Sequence, residues 1–316
     1  MSPLIVIPCT DRKRFHPDAE LRARTLPEGT LQEVATAWAQ HAMSAEPVGI
    51  PKEVYSGRAF REGLQAAEIV NADLVVISAG LGLVEQGQQI PAYGLTVARG
   101  KPDSVEGKVA RPDWSPADWW DALRAQFDHG PSLKERIEES EAPIVLMSLS
   151  ENYGRMVGRE LEGLGKPHVA RLRIFGSNIA RHLPGNVVEA VMPYDRSLDG
   201  PDSPIPGTLS DFGARALHHY CQCLKRGKIS GENAQQDRES LANLMSSWAM
   251  PIAHQRKKLS DSEILSFILE QWSTTGGRSQ ATHRLLRENG FACEQSRFKG
   301  LFHQARAIHH RKDVIA

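Results

Sequence analysis

Cysteine is scarce, with four residues (Cys9, Cys221, Cys223, Cys293) in a chain of 316. So few cannot build a disulfide framework. Cys221 and Cys223 form a C-x-C with no second pair to complete a zinc site. Neither a metal nor a cofactor is expected. Long apolar runs are also absent, and nothing approaches the roughly 20 residues of a bilayer-spanning helix. The opening stretch MSPLIVIPCTDRKR has no basic flank ahead of its short apolar run. It reads as a first buried strand, not a signal peptide. A cytoplasmic, reducing location, no membrane partner and a monomeric state are the expectations. Net charge is lacking too, since 38 Lys and Arg balance 38 Asp and Glu. That argues against a wholly basic coat but leaves local patches open. No G-x-G-x-x-G or G-x-x-x-x-G-K-[ST] stands at a strand-to-helix turn, no G-x-S-x-G follows a strand, and H-E-x-x-H does not occur. Classical dinucleotide, P-loop, α/β-hydrolase and zincin sites are thereby set aside. The adjacent pairs His218-His219 and His309-His310 would diverge on a helix and make poor metal ligands.

What is present is a series of short apolar runs. They are Leu4–Pro8, Leu74–Ile77, Ile144–Met147, Ala170–Phe175 and Val187–Val191, and the continuous ones have the texture of strands covered on both faces. Helical spacing fills the gaps at Thr30–Ala45, Arg58–Val70, Asn152–Leu164 and Ser210–Leu224. The fold class expected is α/β, a three-layer sandwich around a mostly parallel sheet, over residues 1–227. Residues 228–258 are polar and read as a linker, with a short amphipathic piece expected at Leu241–Trp248 and the basic run His254–Lys258 at its end. Residues 259–316 read as a small helical domain. Ser260-Asp261 caps its first helix, Ser279–Arg287 is a second, and the Asn289-Gly290 turn leads to a third at Glu294–Ile308. This is the pattern of a helix-turn-helix. Between Arg278 and Lys312 eight Lys and Arg face two acids, a local excess that predicts DNA contact through Arg278, Arg284, Arg297, Lys299 and Arg306.

In an open parallel sheet, ligands bind beyond the carboxyl ends of the strands. The residues there are small or polar in every case. Cys9, Thr10, Asp11, Arg12 and Arg14 follow the first run. Ser78 and Gly80 follow the second, Ser148 and Asn152 the third, and Tyr194, Asp195 and Arg196 the last. A cleft built this way has what cleavage of a C–N glycosidic bond needs. A carboxylate, Asp195 or Asp11, stabilises an oxocarbenium-like transition state or activates water, with Asn152 beside it. Tyr93 and Tyr194 offer aromatic faces for an extruded base. Cys9, Thr10, Ser78, Gly80 and Ser148 complete the base and sugar pocket, and Arg12, Arg14 and Arg196 stand where phosphates would pass. The insert Lys101–Gly130 carries Trp114, Trp119 and Trp120, and a tryptophan lid over a base-linked sugar, led by Trp114, is a further expectation.

The order of strands and motifs resembles the uracil-DNA glycosylase superfamily, with CTDRKR and MPYDRSL at the places of its first and last active loops, though their letters differ from the usual motifs. YSGRAF, ISAGLGLV and IPAY, within residues 1–95, are similar to the peroxide-stress YaaA-like and transglycosylase-associated proteins. The whole layout also resembles prokaryotic antiviral DNA glycosylases that excise glucosylated hydroxymethylcytosine from phage DNA. These resemblances imply a DNA glycosylase that leaves an abasic site in double-stranded DNA with modified bases. The alternatives they leave are a non-enzymatic DNA-binding protein and a nucleoside N-glycosidase or deoxyribosyltransferase.

Overall fold

The computed structural model describes residues 2–111, 113–127, 130–252 and 256–315, with side chains described through His309. The chain divides into two compact units, Met1–Pro251 and Ile252–Ala316. No helix among the described residues is long and apolar enough to cross a membrane.

The first unit is α/β. Its five strands are β1 (Leu4–Pro8), β2 (Asp73–Ser78), β3 (Gly82–Glu85), β4 (Val145–Ser148) and β5 (Leu172–Phe175). They lie in the order β3-β2-β1-β4-β5, and the sheet is mixed. The pairs β1–β2, β1–β4 and β4–β5 are parallel, whereas β2–β3 is an antiparallel edge. Leu4, Ile5, Val6 and Ile7 are all buried, so side chains pointing to both faces of β1 leave water, as the unbroken apolar run requires.

Helix α1 (Leu31–Ser44) starts at a capping box in which Thr30 and Glu33 exchange hydrogen bonds. Helix α2 (Arg58–Val70) stops at Asn71, which takes the left-handed conformation at φ 51°. Helices α3 (Pro116–Arg124), α4 (Glu151–Met156), α5 (Phe212–Lys225) and α6 (Ala234–Met245) complete the main set. α2 and α5 pack together and touch the central strands, while α1, α3 and α4 form a second contacting group.

Three expectations are corrected here. Val187–Val191 is not a strand: Gly185–Ala190 winds as a 3-10 helix, with Val187 and Ala190 buried and Val188 and Glu189 exposed. That spacing of three buries a stripe where a strand would alternate. Only Val191 meets the sheet, bridging Ile174 in parallel. The long helix expected over Asn152–Leu164 is interrupted at Val157 and resumes as Gly158–Glu162. Residues 228–258 are not a plain linker, because α6 occupies their centre and sends Asp237 into the interior. There Asp237 accepts hydrogen bonds from Arg173 Nε at 2.7 Å, Tyr220 Oη at 2.7 Å and the Gly231 amide at 3.0 Å.

The second unit is helical. It contains α7 (Asp261–Glu270), α8 (Ser279–Glu288) and α9 (Gln295–Ile315). A small core of Ile264, Ile268, Leu286, Phe298, Leu301, Phe302 and Ala305 holds them. The residues between α8 and α9 are more than a turn: Phe291–Ala292 pairs in parallel with Lys257–Lys258. Of the basic run, His254 and Gln255 lie outside the described residues.

Candidate active site and basic groove

From β1 the chain runs to β2 on one side, and β4 lies on the other. The carboxyl ends of β1 and β4 therefore frame the crevice where a parallel sheet accepts ligands. Cys9 continues β1 by one hydrogen bond, its amide donating to the Ile77 carbonyl at 2.9 Å. Its Sγ meets Tyr153 Oη at 3.0 Å, so the thiol and the phenol close the floor between β1 and β4. Beyond Cys9 the loop is strapped down. Ser56 donates to the Arg12 carbonyl and Arg14 to the Val54 carbonyl, each at 2.9 Å. Gly57, at φ 112°, lets this happen, since a Cβ there would stand 3.3 Å from Thr10 Oγ1 in a backbone region that L side chains avoid. Lys13 then folds back. Its Nζ donates to the Thr10 carbonyl at 2.9 Å and lies 4.0 Å over the Tyr93 ring.

The wall opposite is a chain of hydroxyls. Tyr55 and Tyr93 share a hydrogen bond of 2.8 Å, and Tyr93 and Ser78 share one of 2.6 Å. Ser78 Oγ also accepts from the amides of Gly80 and Leu81. Burial pushes the phenols of Tyr55, Tyr93 and Tyr153 up, and the neighbouring Cys9 pushes the same way. They are neutral hydroxyls, able to donate. Burial lowers the Lys13 ammonium, opposed by Cys9, Asp11 and Asp103.

The small residues after β2 are explained by packing. A Cβ on Gly80 would come within 2.8 Å of Tyr93 and 3.1 Å of Trp38. Two indoles then pin the loop, Trp38 donating to the Gly80 carbonyl at 2.7 Å and Trp119 to the Ala79 carbonyl at 2.8 Å. Trp119 and Trp120 are wholly buried, which overturns the idea of a lid made from them. Their faces are already spent on α1 and the loop, and Trp120 Nε1 is bonded to Glu160. Trp114 is half-buried against the same core.

The remaining expected residues scatter. Cys9 and Thr10 stand half-buried at the carboxyl end of β1, Ser78 and Tyr93 are wholly buried behind them, and exposed Asp11 bears electrostatically on both Lys13 and Tyr153. Asn152 is half-buried on α4, one residue before Tyr153. Ser148 is buried where Gly213 of α5 crosses closely, a Cβ there falling 3.0 Å from Ser148 Oγ. Tyr194 turns its hydroxyl to His219 Nδ1 at 2.8 Å. Asp195 is exposed and caps a short 3-10 helix, its Oδ1 accepting from the Ser197 amide at 2.8 Å. Arg12, Arg14 and Arg196 are exposed. Lys13, Tyr55 and Tyr153 were not singled out from the sequence, although each lies in a quoted motif or strand end.

His219 offers a measurable check on this packing. Its ring lies 5.2 Å from Trp248 and accepts or donates to Tyr194. Burial pushes its pKa down to about 4, helped by the charges of Lys228 and Arg226. An unfolded histidine protonates near 6.5, so as pH falls below roughly 6.5 the unfolded state takes a proton that the folded state refuses. Stability is expected to fall between about pH 6.5 and 4 for this reason and to be flat in this contribution above it. Urea midpoints across that range should show a shallower pH slope in His219→Gln than in the parent; equal slopes would contradict the assignment.

The second unit carries a groove of about 1780 Å3. Arg284 and Arg287 from α8 and Lys299 and Arg306 from α9 line it, along with Arg256 and Lys258. Arg297 lies there too but is held by its own fold, bonded to Asp261 at 2.5 and 2.8 Å and to the Leu259 carbonyl. Arg278 is spent locally on the Thr275 carbonyl.

No family model, curated protein or solved structure matches this chain. The crevice combines neutral phenols, a thiol, a partly desolvated amine and a solvent-facing carboxylate, a set suited to polar ring recognition and to proton transfer. The groove gathers Arg256, Lys258, Arg284, Arg287, Lys299 and Arg306 around one concavity, a charge that suits a polyanion. Among the described residues no group of three or more His, Cys, Asp or Glu is placed to hold a metal ion.

Proposed function

We propose that this chain is a DNA N-glycosylase that removes a modified base, built as a three-layer α/β catalytic domain with a helix-turn-helix that holds the duplex. The observation that carries the reading is the crevice at the β1–β4 switch point, where Asp11, Lys13, Tyr93 and Tyr153 meet around the ends of the sheet. The basic groove of the second unit supplies what a small-molecule enzyme would not need. In this reading an extruded nucleotide enters the crevice. The Asp11 carboxylate stabilises positive charge growing at C1′ and orients the attacking water. Tyr153, kept neutral by burial, donates to the departing base. Exposed Arg12, Arg14 and Arg196 contact phosphates, and Trp114 is the one tryptophan of the insert left to border a sugar substituent. Glucosylated hydroxymethylcytosine in phage DNA is the substrate proposed, with antiviral defence as the role.

The test is mass spectrometry of bases released by the full chain from glucosylated, unglucosylated and unmodified DNA. Release of one base, with alkali-labile abasic sites left behind, is the expected result. Hydrolysis of free nucleosides with no action on DNA would move the activity to small molecules. Binding with no release from any DNA would leave a non-enzymatic DNA-binding protein.

A further inference from the structure

We propose that Lys13 is a Schiff-base nucleophile and that the chain also cleaves the strand at abasic sites. This inference rests on the reading of the crevice as the place where C1′ is exposed, and extends it from base release to strand scission.

The case begins with what Lys13 lacks. A half-buried lysine is ordinarily held by a carboxylate, but no ion pair forms at its Nζ among the described residues. Its partners are the Thr10 carbonyl at 2.9 Å and the faces of Tyr93 and Tyr55, at 4.0 and 5.6 Å. One carbonyl and two π-faces hold the amine in place; they favour the ammonium, but none of them carries a formal negative charge, and burial works against that form. The backbone on either side is fixed, because Lys13 bridges Tyr55 while Arg12 and Arg14 are hydrogen-bonded to residues 54–56. The amine is thus delivered to one point of the crevice on a rigid support. Desolvation favours the neutral form that a nucleophile requires. The groups facing it are Cys9, Asp11, Asp103, Tyr55 and Tyr93; of these, Cys9, then Asp11 and Asp103, oppose the shift.

The chemistry needs no co-reactant besides water. Once the base is gone, the deoxyribose opens to an aldehyde at C1′. The Nζ lone pair attacks that carbon and one amine proton passes to the alkoxide; the carbinolamine hydroxyl then takes a proton from solvent and leaves as water, giving an iminium. Asp11 takes a C2′ proton, the electron pair forms the C2′–C3′ double bond, and the C3′–O bond breaks to expel the 3′ phosphate. One water then hydrolyses the imine, returning the amine and releasing the unsaturated aldehyde on the 5′ fragment.

The experiment uses the full chain and a duplex oligonucleotide in which the abasic site is already formed, so that base release is not required. Sodium borohydride added during the reaction should reduce the imine to a stable protein–DNA adduct, and peptide mass spectrometry of the wild-type adduct should place it on Lys13. Lys13→Arg, which keeps the cation, should lose the adduct and the strand break while retaining its melting temperature and its affinity for the duplex. No adduct with wild-type protein, or an adduct on the N-terminal amine or another lysine, overturns the proposal. A chain that releases bases yet traps nothing would overturn the lyase step and leave the glycosylase standing. A chain trapped through Lys13 that releases no base would support the nucleophile and overturn the glycosylase reading.

Discussion

Replacing Asp237 by alanine is expected to cost about 3–5 kcal/mol, the range for breaking a buried ion pair from one side. Asp237 and Arg173 are 1% and 0% exposed. Removing the carboxylate strands the guanidinium, the Tyr220 hydroxyl and the Gly231 amide in the interior at once. Arg173 would keep its bonds to the carbonyls of Ala170, Leu172 and Gly231, but none of these neutralises it. For a unit of this size the melting temperature should fall by roughly 10 °C. Calorimetry or a thermal scan by circular dichroism checks this, and a change within roughly 2 °C, too small for even a single kcal/mol, would mean the pair contributes little. The double replacement Arg173→Met with Asp237→Leu should recover only the part of the loss that comes from the stranded guanidinium, because the Tyr220 hydroxyl and the Gly231 amide still lack their partner. A chain cut after residue 227, where composition alone places the end of the α/β domain, loses the same carboxylate and should be destabilised in the same way.

The second large effect is expected at Asp11. Asp11→Asn should lower base release by about a hundredfold, the scale for removing one preorganised electrostatic group, while leaving the fold intact because the side chain is exposed. Asp195→Asn should leave the rate within a few-fold. Asparagine caps a turn about as well as aspartate, and the carboxylate of Asp195 is engaged with the Ser197 amide. The two variants, assayed side by side on the same modified DNA, decide between the carboxylates. A hundredfold loss in Asp195→Asn with normal rates in Asp11→Asn would transfer the role.

Much of this architecture was legible in the sequence. β1, β2 and β4 are unbroken apolar runs, and such runs can only be covered strands or helices too short to stand alone. The Ser260 cap read from the sequence stands at the start of α7, and the helix expected over Thr30–Ala45 begins one residue later, at Leu31 behind the Thr30 cap. The failures have physical reasons. In VVEAV the apolar letters fit alternation and a spacing of three equally well over five residues, and burial chose the latter. β3 is four residues long and begins in glycine, too brief to stand out. α6 was read as solvated because its letters are polar, yet its most buried polar residue answers an arginine 64 positions earlier. No local pattern reports such a pair. Lys13 was hidden likewise: within DRKR every charge looks exposed, and only the Tyr55 and Tyr93 rings, brought from 42 and 80 residues away, take one of them out of water. Ser78 was named because it follows a strand end, which is where the topology collects residues from distant parts of the chain, and Tyr93 because it offers an aromatic face in IPAY.

The loop from Ser78 to Gly82 has a consequence for binding thermodynamics. Its carbonyls at Ala79 and Gly80 are taken by two indoles, and its amides at Gly80 and Leu81 by a serine hydroxyl. A loop of that kind has given up its conformational entropy during folding, so binding at the neighbouring end of β1 does not have to order it again. In the proposed reading, affinity for a ring in the crevice is then set by fit and by displaced water. Discrimination between rings of different size follows from the same rigidity, because a wall that cannot retreat turns each extra atom into a clash.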